Sequence, residues 1–214
     1  SFIFSGFYTE SLFLFLSLGC GYLLMEKKYW LAGVAGFLAA LTRSQGVLLA
    51  FFPLYEIGML LKNRSLTKNS LIKLMLITYM IGLGLISFLL YTQLAFNSWS
   101  APLVAQAAWG KSLTFPWQTI FSPIKFIGYI TPVDKWIAII CLVSSLYLFK
   151  VLKNKSWVIY ALVSILSPLT TGFLHSVVRY VAVVFPLYIG WAFLIHKFKI
   201  NREIVWLLLI VMQT

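Results

Sequence analysis

Apolar runs, several of them long enough to cross a bilayer, follow one another along this chain and leave few choices for its fold. They cover residues 3–25, 29–61, 74–96, 136–152, 157–174, 180–196 and 204–214. About 20 apolar residues span the hydrocarbon core as a helix. Only 10% of the residues are charged, against about 25% in a soluble domain. The sequence therefore predicts an all-α polytopic membrane protein, a single domain over 1–214 with about seven or eight membrane segments.

Basic loops separate most of these runs and predict the topology. They lie at 27–28, 62–73, 150–155 and 197–202. If all four face the cytoplasm, as the positive-inside rule favours, run 29–61 must cross the membrane an even number of times. The polar stretch 42–46, Thr-Arg-Ser-Gln-Gly, lies in its middle. We therefore predict two short helices, 30–42 and 46–61, with an outer turn between them.

This topology sorts the positive charges. Twelve of the 17 lysines and arginines fall in the inner loops, and this bias accounts for the net charge of +12 without nucleic acid as a partner. Segment 97–135 becomes an outer loop, with residues 120–130 predicted as a short interfacial amphipathic helix. The outer cations are Arg43, Lys111, Lys125, Lys135 and Arg179.

Several outer polar residues are candidates for binding a ligand. Arg43 could bind a lipid phosphate through its guanidinium, or could instead neutralise Glu10 or reach the interface. An acid in an apolar helix, as Glu10 is, is a candidate functional group. His175 and Arg179 share a helix face at i, i+4 spacing, and Arg179 with Tyr180 would either contact an anionic head group or anchor the end of the span.

The outer loop holds a second group of candidates. Trp109 lies beside Gln106 and Lys111, and an aromatic ring next to amide and ammonium groups suits a sugar or its phosphate. The alternative is interfacial anchoring.

Motifs of soluble enzymes are absent from the sequence. There is no Gly-rich phosphate loop and no cysteine or histidine spacing for a metal. His175 and His196 fall on opposite sides of the membrane, so a Ser/His/Asp triad is not supported. Cys20 and Cys141 lie inside apolar runs, where a disulfide framework is not expected. Three prolines are predicted to kink membrane helices: Pro53, Pro168 and Pro186.

Four stretches in this order, FSGFYTESLF, GFLAALTRSQG, AQAAWGKSLTFPW and SVVRYVAVVFPLY, resemble the PIG-V mannosyltransferases. These are the second mannosyltransferases of glycosylphosphatidylinositol anchor synthesis, together with their prokaryotic relatives. The resemblance covers about residues 1–192, and the third stretch looks more like the prokaryotic branch. It implies the plasma membrane if the protein is prokaryotic and the endoplasmic reticulum if it is eukaryotic. We favour the prokaryotic location.

The resemblance implies a GT-C-like helical bundle that transfers a mannosyl or other hexosyl unit. The donor would be a polyprenyl- or dolichyl-phosphate sugar, the acceptor a lipid-linked molecule or glycan, and the reaction would take place on the extracytoplasmic or lumenal face. No metal or further cofactor is implied. The donor phosphate would be bound by Arg43, Arg179 and Lys111. Substrate contacts would come from Tyr8, Glu10, Gln45, Gln106, Trp109, His175 and Tyr180.

The family's presumed catalytic Asp lies upstream of the helix that holds Glu10, outside this sequence, and Asp134 is not assigned to its role. We therefore expect the chain to be a fragment truncated at both ends and inactive by itself. Two other functions stay open. One is a polytopic transporter or lipid flippase, and the other is a non-catalytic membrane subunit that binds a partner. The sugar, the acceptor and the linkage are not readable from the sequence.

Overall fold

The computed structural model describes residues 9–108, 110–121, 132–172, 177–199, 201 and 203, and within these ranges its elements are helices joined by turns, with no strand. The helices are α1 Glu10–Met25, α2 Tyr29–Thr42, a 3-10 helix Ser44–Ala50, α3 Phe51–Lys62, α4 Lys68–Phe96, α5 Ala101–Ala108, α6 Pro116–Phe121, α7 Pro132–Val151, α8 Lys155–Leu169, α9 Val177–Val181 and α10 Phe185–Lys197. The all-α class is confirmed.

The predicted break in run 29–61 is present. Helix α2 ends at Thr42, and Arg43 is extended, with φ −149° and ψ 140°. The chain then re-enters helical geometry as the 3-10 helix Ser44–Ala50, which leads directly into α3. The polar residues at 42–46 thus end one helix and begin the next, as the charge pattern predicts.

Small residues let helices α2 and α4 approach closely. A Cβ on Gly84 of α4 would lie 2.3 Å from the Phe37 carbonyl oxygen and 2.9 Å from Ala40 Cβ. On the α2 side, a Cβ on Gly36 would lie 2.5 Å from Ile81. Close approach through small residues is the usual way to pack helices in lipid, where the hydrophobic effect does not drive helices together.

Gly84→Ala is expected to destabilise the protein by about 2 kcal/mol, because the new methyl group meets backbone that cannot rotate away. Gly82→Ala is the matched control, since nothing lies within 4 Å of a Cβ there. The measurement is thermal unfolding of the two purified variants beside the wild type. Equal melting temperatures for both variants would contradict this packing.

The loops gather at two ends of the bundle. At the basic end, the Lys73 ammonium lies 5.6 Å from the centre of the Tyr29 ring, and Lys197 Nζ lies 3.2 Å from Tyr147 Oη. At the other end, Glu10 contacts an arginine from each half of the chain. Helix α1 separates these ends by roughly 24 Å, at about 1.5 Å per residue. Which of these ends faces the cytoplasm stays a prediction.

Two helical segments are long and apolar enough to cross a membrane, Ser44–Lys62 and Lys68–Phe96. Within the most apolar stretch of Lys68–Phe96, 22% of the residues are buried, and several large apolar side chains of this helix are exposed, Tyr79 and Leu94 among them. Shorter apolar helices are Glu10–Met25, Tyr29–Thr42 and Lys155–Leu169. The count of seven or eight membrane segments stays a prediction.

Several predicted bounds were wrong. The run 157–174 ends as helix at Leu169, where a turn leads to Gly172 at φ +67°. The run 180–196 is not one helix, because α9 ends at Val181 and α10 starts at Phe185. Pro186 therefore occupies the first turn of α10, where a proline needs no hydrogen-bond partner, and it does not kink a span.

The other two prolines also lie near helix ends, Pro53 in the first turn of α3 and Pro168 next to the last residue of α8. The run 74–96 begins as helix six residues earlier, at Lys68, where Thr67 and Ser70 form a capping box. The predicted interfacial helix at 120–130 falls mostly outside the described residues.

Candidate functional site

Glu10, in the first turn of α1, is the centre of a charged cluster. Its side chain is fully buried. One oxygen, Oε1, accepts from Arg43 NH1 at 2.9 Å, from Arg179 NH2 at 2.6 Å and from Arg179 Nε at 2.8 Å. The other oxygen, Oε2, is buried and has no hydrogen-bond partner among the described residues. The carboxylate thus holds two guanidinium groups side by side. Without an anion between them, the two positive charges would repel each other.

Arg43 reaches this position because the chain is extended between two helices. Its backbone N–H bonds to the Ala39 carbonyl at 3.1 Å, and its own carbonyl accepts from Gly46 N at 2.8 Å. These bonds fix the turn and direct the side chain toward α1 and α9. The guanidinium carbon lies 5.3 Å from the centre of the Tyr180 ring and 6.0 Å from that of Phe13. Cation–π contacts of this kind orient a guanidinium and leave its N–H groups available.

The Arg43 side chain has more N–H donors than Glu10 uses. A guanidinium has five N–H donors, and Glu10 is the only hydrogen-bonding or ion-pair partner of the Arg43 side chain within the described part of the chain. The side chain is 12% exposed, so it can meet a ligand at the surface of the cluster. Arg179, from α9, is 36% exposed. Arg43 can therefore contact Glu10 and a second anion at once.

The loop after α5 brings a third cation. Ser112 N bonds to the Thr171 carbonyl at 3.0 Å, and Thr114 N bonds to the Thr170 carbonyl at 2.9 Å. These two bonds attach the loop to the end of α8. Lys111 then donates from Nζ to Tyr180 Oη at 3.2 Å.

Three cations lie close together in this cluster. Arg43 and Lys111 both contact Tyr180, and Arg43 and Arg179 both contact Glu10. Cations placed together and partly shielded from water are suited to a phosphate or another dianion, since guanidinium groups bind its oxygens in pairs.

Neither a family model, nor a curated protein, nor a solved structure matches this chain. What the site can do is therefore argued from its side chains.

The structure brings together five of the ten residues proposed from the sequence, Arg43, Arg179, Lys111, Tyr180 and Glu10, with Glu10 as the anion of the two arginines. For Arg43 and Glu10, the alternative interpretation, an ion pair between them, is present. Three further candidates, Tyr8, Trp109 and His175, lie outside the described residues.

Two more candidates have other surroundings. Gln45 is 6% exposed and points into the bundle, where Nε2 donates to the Ser164 carbonyl on α8 at 3.4 Å. Its Oε1 and the Ser164 hydroxyl are buried without hydrogen-bond partners among the described residues. Gln106 is exposed on α5, and its carbonyl accepts from Lys111 N at 3.2 Å. Gln45 therefore connects the turn to α8, and Gln106 supports the backbone of the Lys111 loop.

Sequence reasoning missed that one carboxylate serves both arginines. The signal was present, because the chain has only five acidic residues and the predicted topology puts two of them, Glu10 and Asp134, toward the outer side. Within the described ranges, no group of three or more histidine, cysteine, aspartate or glutamate side chains could hold a metal ion.

Proposed function

We propose that this chain is part of a membrane glycosyltransferase that takes a hexose, mannose in the first instance, from a polyprenyl- or dolichyl-phosphate carrier. The observation that carries the proposal is that Arg43 and Arg179 share one buried carboxylate, while Arg43 and Lys111 both contact Tyr180 beside it. In this proposal the three cations bind the donor phosphate and stabilise the negative charge that develops on it as the sugar departs. The resemblance to PIG-V mannosyltransferases supports the same assignment.

The position of the cluster supports a donor that lies in the membrane. The cluster lies at the end of the bundle away from the four basic loops. The positive-inside rule assigns the basic loops to the cytoplasm, and hence the cluster to the extracytoplasmic or lumenal face. Outward-facing apolar side chains of Lys68–Phe96 are compatible with surrounding lipid. A polyprenyl chain could lie along such a surface while its phosphate enters the cluster. The proposed location is the plasma membrane for a prokaryotic protein and the endoplasmic reticulum for a eukaryotic one.

The general base is assigned to a residue outside this sequence. Oε1 of Glu10 is shared by two guanidinium groups. Because these groups stabilise the ionised carboxylate, Glu10 is a weak proton acceptor. Glu10 is therefore a positioning residue for the arginines. The acceptor hydroxyl would be deprotonated by a carboxylate from the segment preceding α1, as the resemblance implies.

Arg43→Ala in the full-length protein is expected to lower sugar transfer by about 100-fold, the effect of removing one preorganised donor to a developing negative charge. The protein should still fold, because Arg179 continues to neutralise Glu10. The assay is transfer from polyprenyl-phosphate mannose by purified enzyme. Arg64→Ala is the matched control, since Arg64 is an exposed arginine in an inner loop.

Transfer that is equal in the Arg43→Ala and Arg64→Ala variants would make Arg43 a structural anchor only. If the wild-type protein transfers sugar from neither this donor nor related lipid-phosphate sugars, the enzyme proposal fails.

A transporter or flippase is the second candidate, and one observation favours it. Helices α9 and α10 form an interrupted segment, and Arg179 lies just before the interruption. Transporters use the ends of such broken helices to bind ions and anionic substrates. Protein reconstituted into liposomes that moves a lipid phosphate across the bilayer, without sugar transfer, would favour this function over the enzyme.

A further inference from the structure

A cleft of about 230 Å³ opens at the basic end of the bundle, between α1, α3 and α8. Its walls are largely apolar and aromatic, with Phe52, Tyr55 and Trp157 among them. Drug-sized ligands usually occupy about 300–1,000 Å³, so this cleft is suited to a smaller group. It lies at the opposite end of α1 from Glu10 and takes no part in the function proposed above.

One carboxylate faces this cleft. Glu56 lies in α3, within the apolar segment Ser44–Lys62. It forms no hydrogen bond or ion pair in the described part of the chain, although Lys27 is close enough to act on it electrostatically. An acid in an apolar helix is costly and is normally paired. The cleft therefore presents a carboxylate that a ligand with N–H donors could satisfy.

Donor groups lie beside this carboxylate. Lys27 contributes an ammonium, and Trp157 contributes an indole N–H. Asn154 Oδ1 accepts from Ser156 N at 3.1 Å and from Ser156 Oγ at 2.6 Å, which leaves its amide N–H groups for other acceptors. One side of the cleft thus suits a cation, and the other suits an anion.

We propose that this cleft binds the head group of an amine-bearing phospholipid of the phosphatidylethanolamine type, with its ammonium at Glu56 and its phosphate at Lys27 and Asn154. Charge complementarity favours a zwitterion over a purely anionic lipid, because the latter would bring a second negative charge to Glu56. A primary ammonium donates hydrogen bonds to the carboxylate, and a trimethylammonium cannot. The apolar walls accommodate the start of the acyl chains.

The test is lipid retention by the purified full-length protein, measured by native mass spectrometry with equal amounts of phosphatidylethanolamine, phosphatidylcholine and phosphatidylglycerol. Wild-type protein should retain phosphatidylethanolamine preferentially. Glu56→Gln should weaken this preference roughly tenfold, through loss of a charged hydrogen bond. Glu26→Gln is the matched control, since Glu26 is exposed at the same end and does not line the cleft. Glu56→Asp keeps the charge and should retain the preference if Glu56→Gln does not fold.

Equal retention of the three lipids by wild-type protein would overturn the proposal, as would an unchanged preference in a folded Glu56→Gln variant. Free phosphoethanolamine is a further arm of the experiment. If it displaces the lipid at similar concentration, the ligand is a soluble zwitterion and the lipid assignment is wrong.

Discussion

Replacing Glu10 by glutamine is expected to destabilise the protein by about 3 kcal/mol, the largest loss we expect from any single change of charge in this chain. The substitution leaves Arg43 and Arg179 side by side without their shared anion. Removing one partner of a buried ion pair leaves uncompensated charge, which is costlier than removing the whole group. We place the value at the lower end of the usual range because Arg179 is 36% exposed and partly solvated.

Thermal unfolding of the purified full-length protein measures this effect. Glu26→Gln removes the same charge from an exposed position and should leave the melting temperature nearly unchanged. Arg179→Gln should cost less than Glu10→Gln, because Arg43 still neutralises the carboxylate. A Glu10→Gln variant as stable as Glu26→Gln would show that the cluster does not form as described.

Gly46→Ala is expected to destabilise the turn between α2 and the 3-10 helix by about 3 kcal/mol, the upper end of the cost of overpacking. A Cβ there would lie 2.4 Å from Ala40 N and 2.5 Å from the Ala39 carbonyl carbon and oxygen. These are backbone atoms of a helix, so the turn itself must open. Because Arg43 and Gln45 flank this turn, the change should also displace a donor from the cluster and lower sugar transfer.

Gly58→Ala is the control for this change, since nothing lies within 4 Å of a Cβ on Gly58 and alanine is the better helix former there by about 1 kcal/mol. The two variants are compared by thermal unfolding and by transfer activity. A Gly46→Ala protein that matches Gly58→Ala in both measurements would contradict the close approach of the turn to α2.

Much of the fold could be predicted from the distribution of charge. The positive-inside rule, applied to four basic loops, required run 29–61 to turn back, and the polar residues at 42–46 identified where. The same argument assigned Arg43, Lys111 and Arg179 to one end of the bundle, and the structure brings them together through contacts with Tyr180 and Glu10. Their role as a phosphate site stays a prediction.

Other features could not be predicted because they depend on packing between distant segments. The break at Ala182–Val184 has a local signal in Pro186, which has no N–H for the Ala182 carbonyl, but the path of the chain at the break depends on packing. Phe185 packs against Phe52, Trp157 and Tyr160 in the core. The pairing of Arg179 with Glu10 could not be predicted either, since nothing in the sequence near either residue links α9 to the first turn of α1.

The ion pair between Glu10 and Arg179 joins residues 169 positions apart. At about 5–20 residues per second, the ribosome adds Arg179 roughly 10–30 s after Glu10. Arg43 is made early, so the nascent protein passes through a stage in which the carboxylate has a single guanidinium and the last helices are not yet in place. Completion of the charged cluster therefore coincides with synthesis of the C-terminal helices. A chain that stalls before them has Glu10 paired with Arg43 alone and lacks the contact that ties α9 to α1.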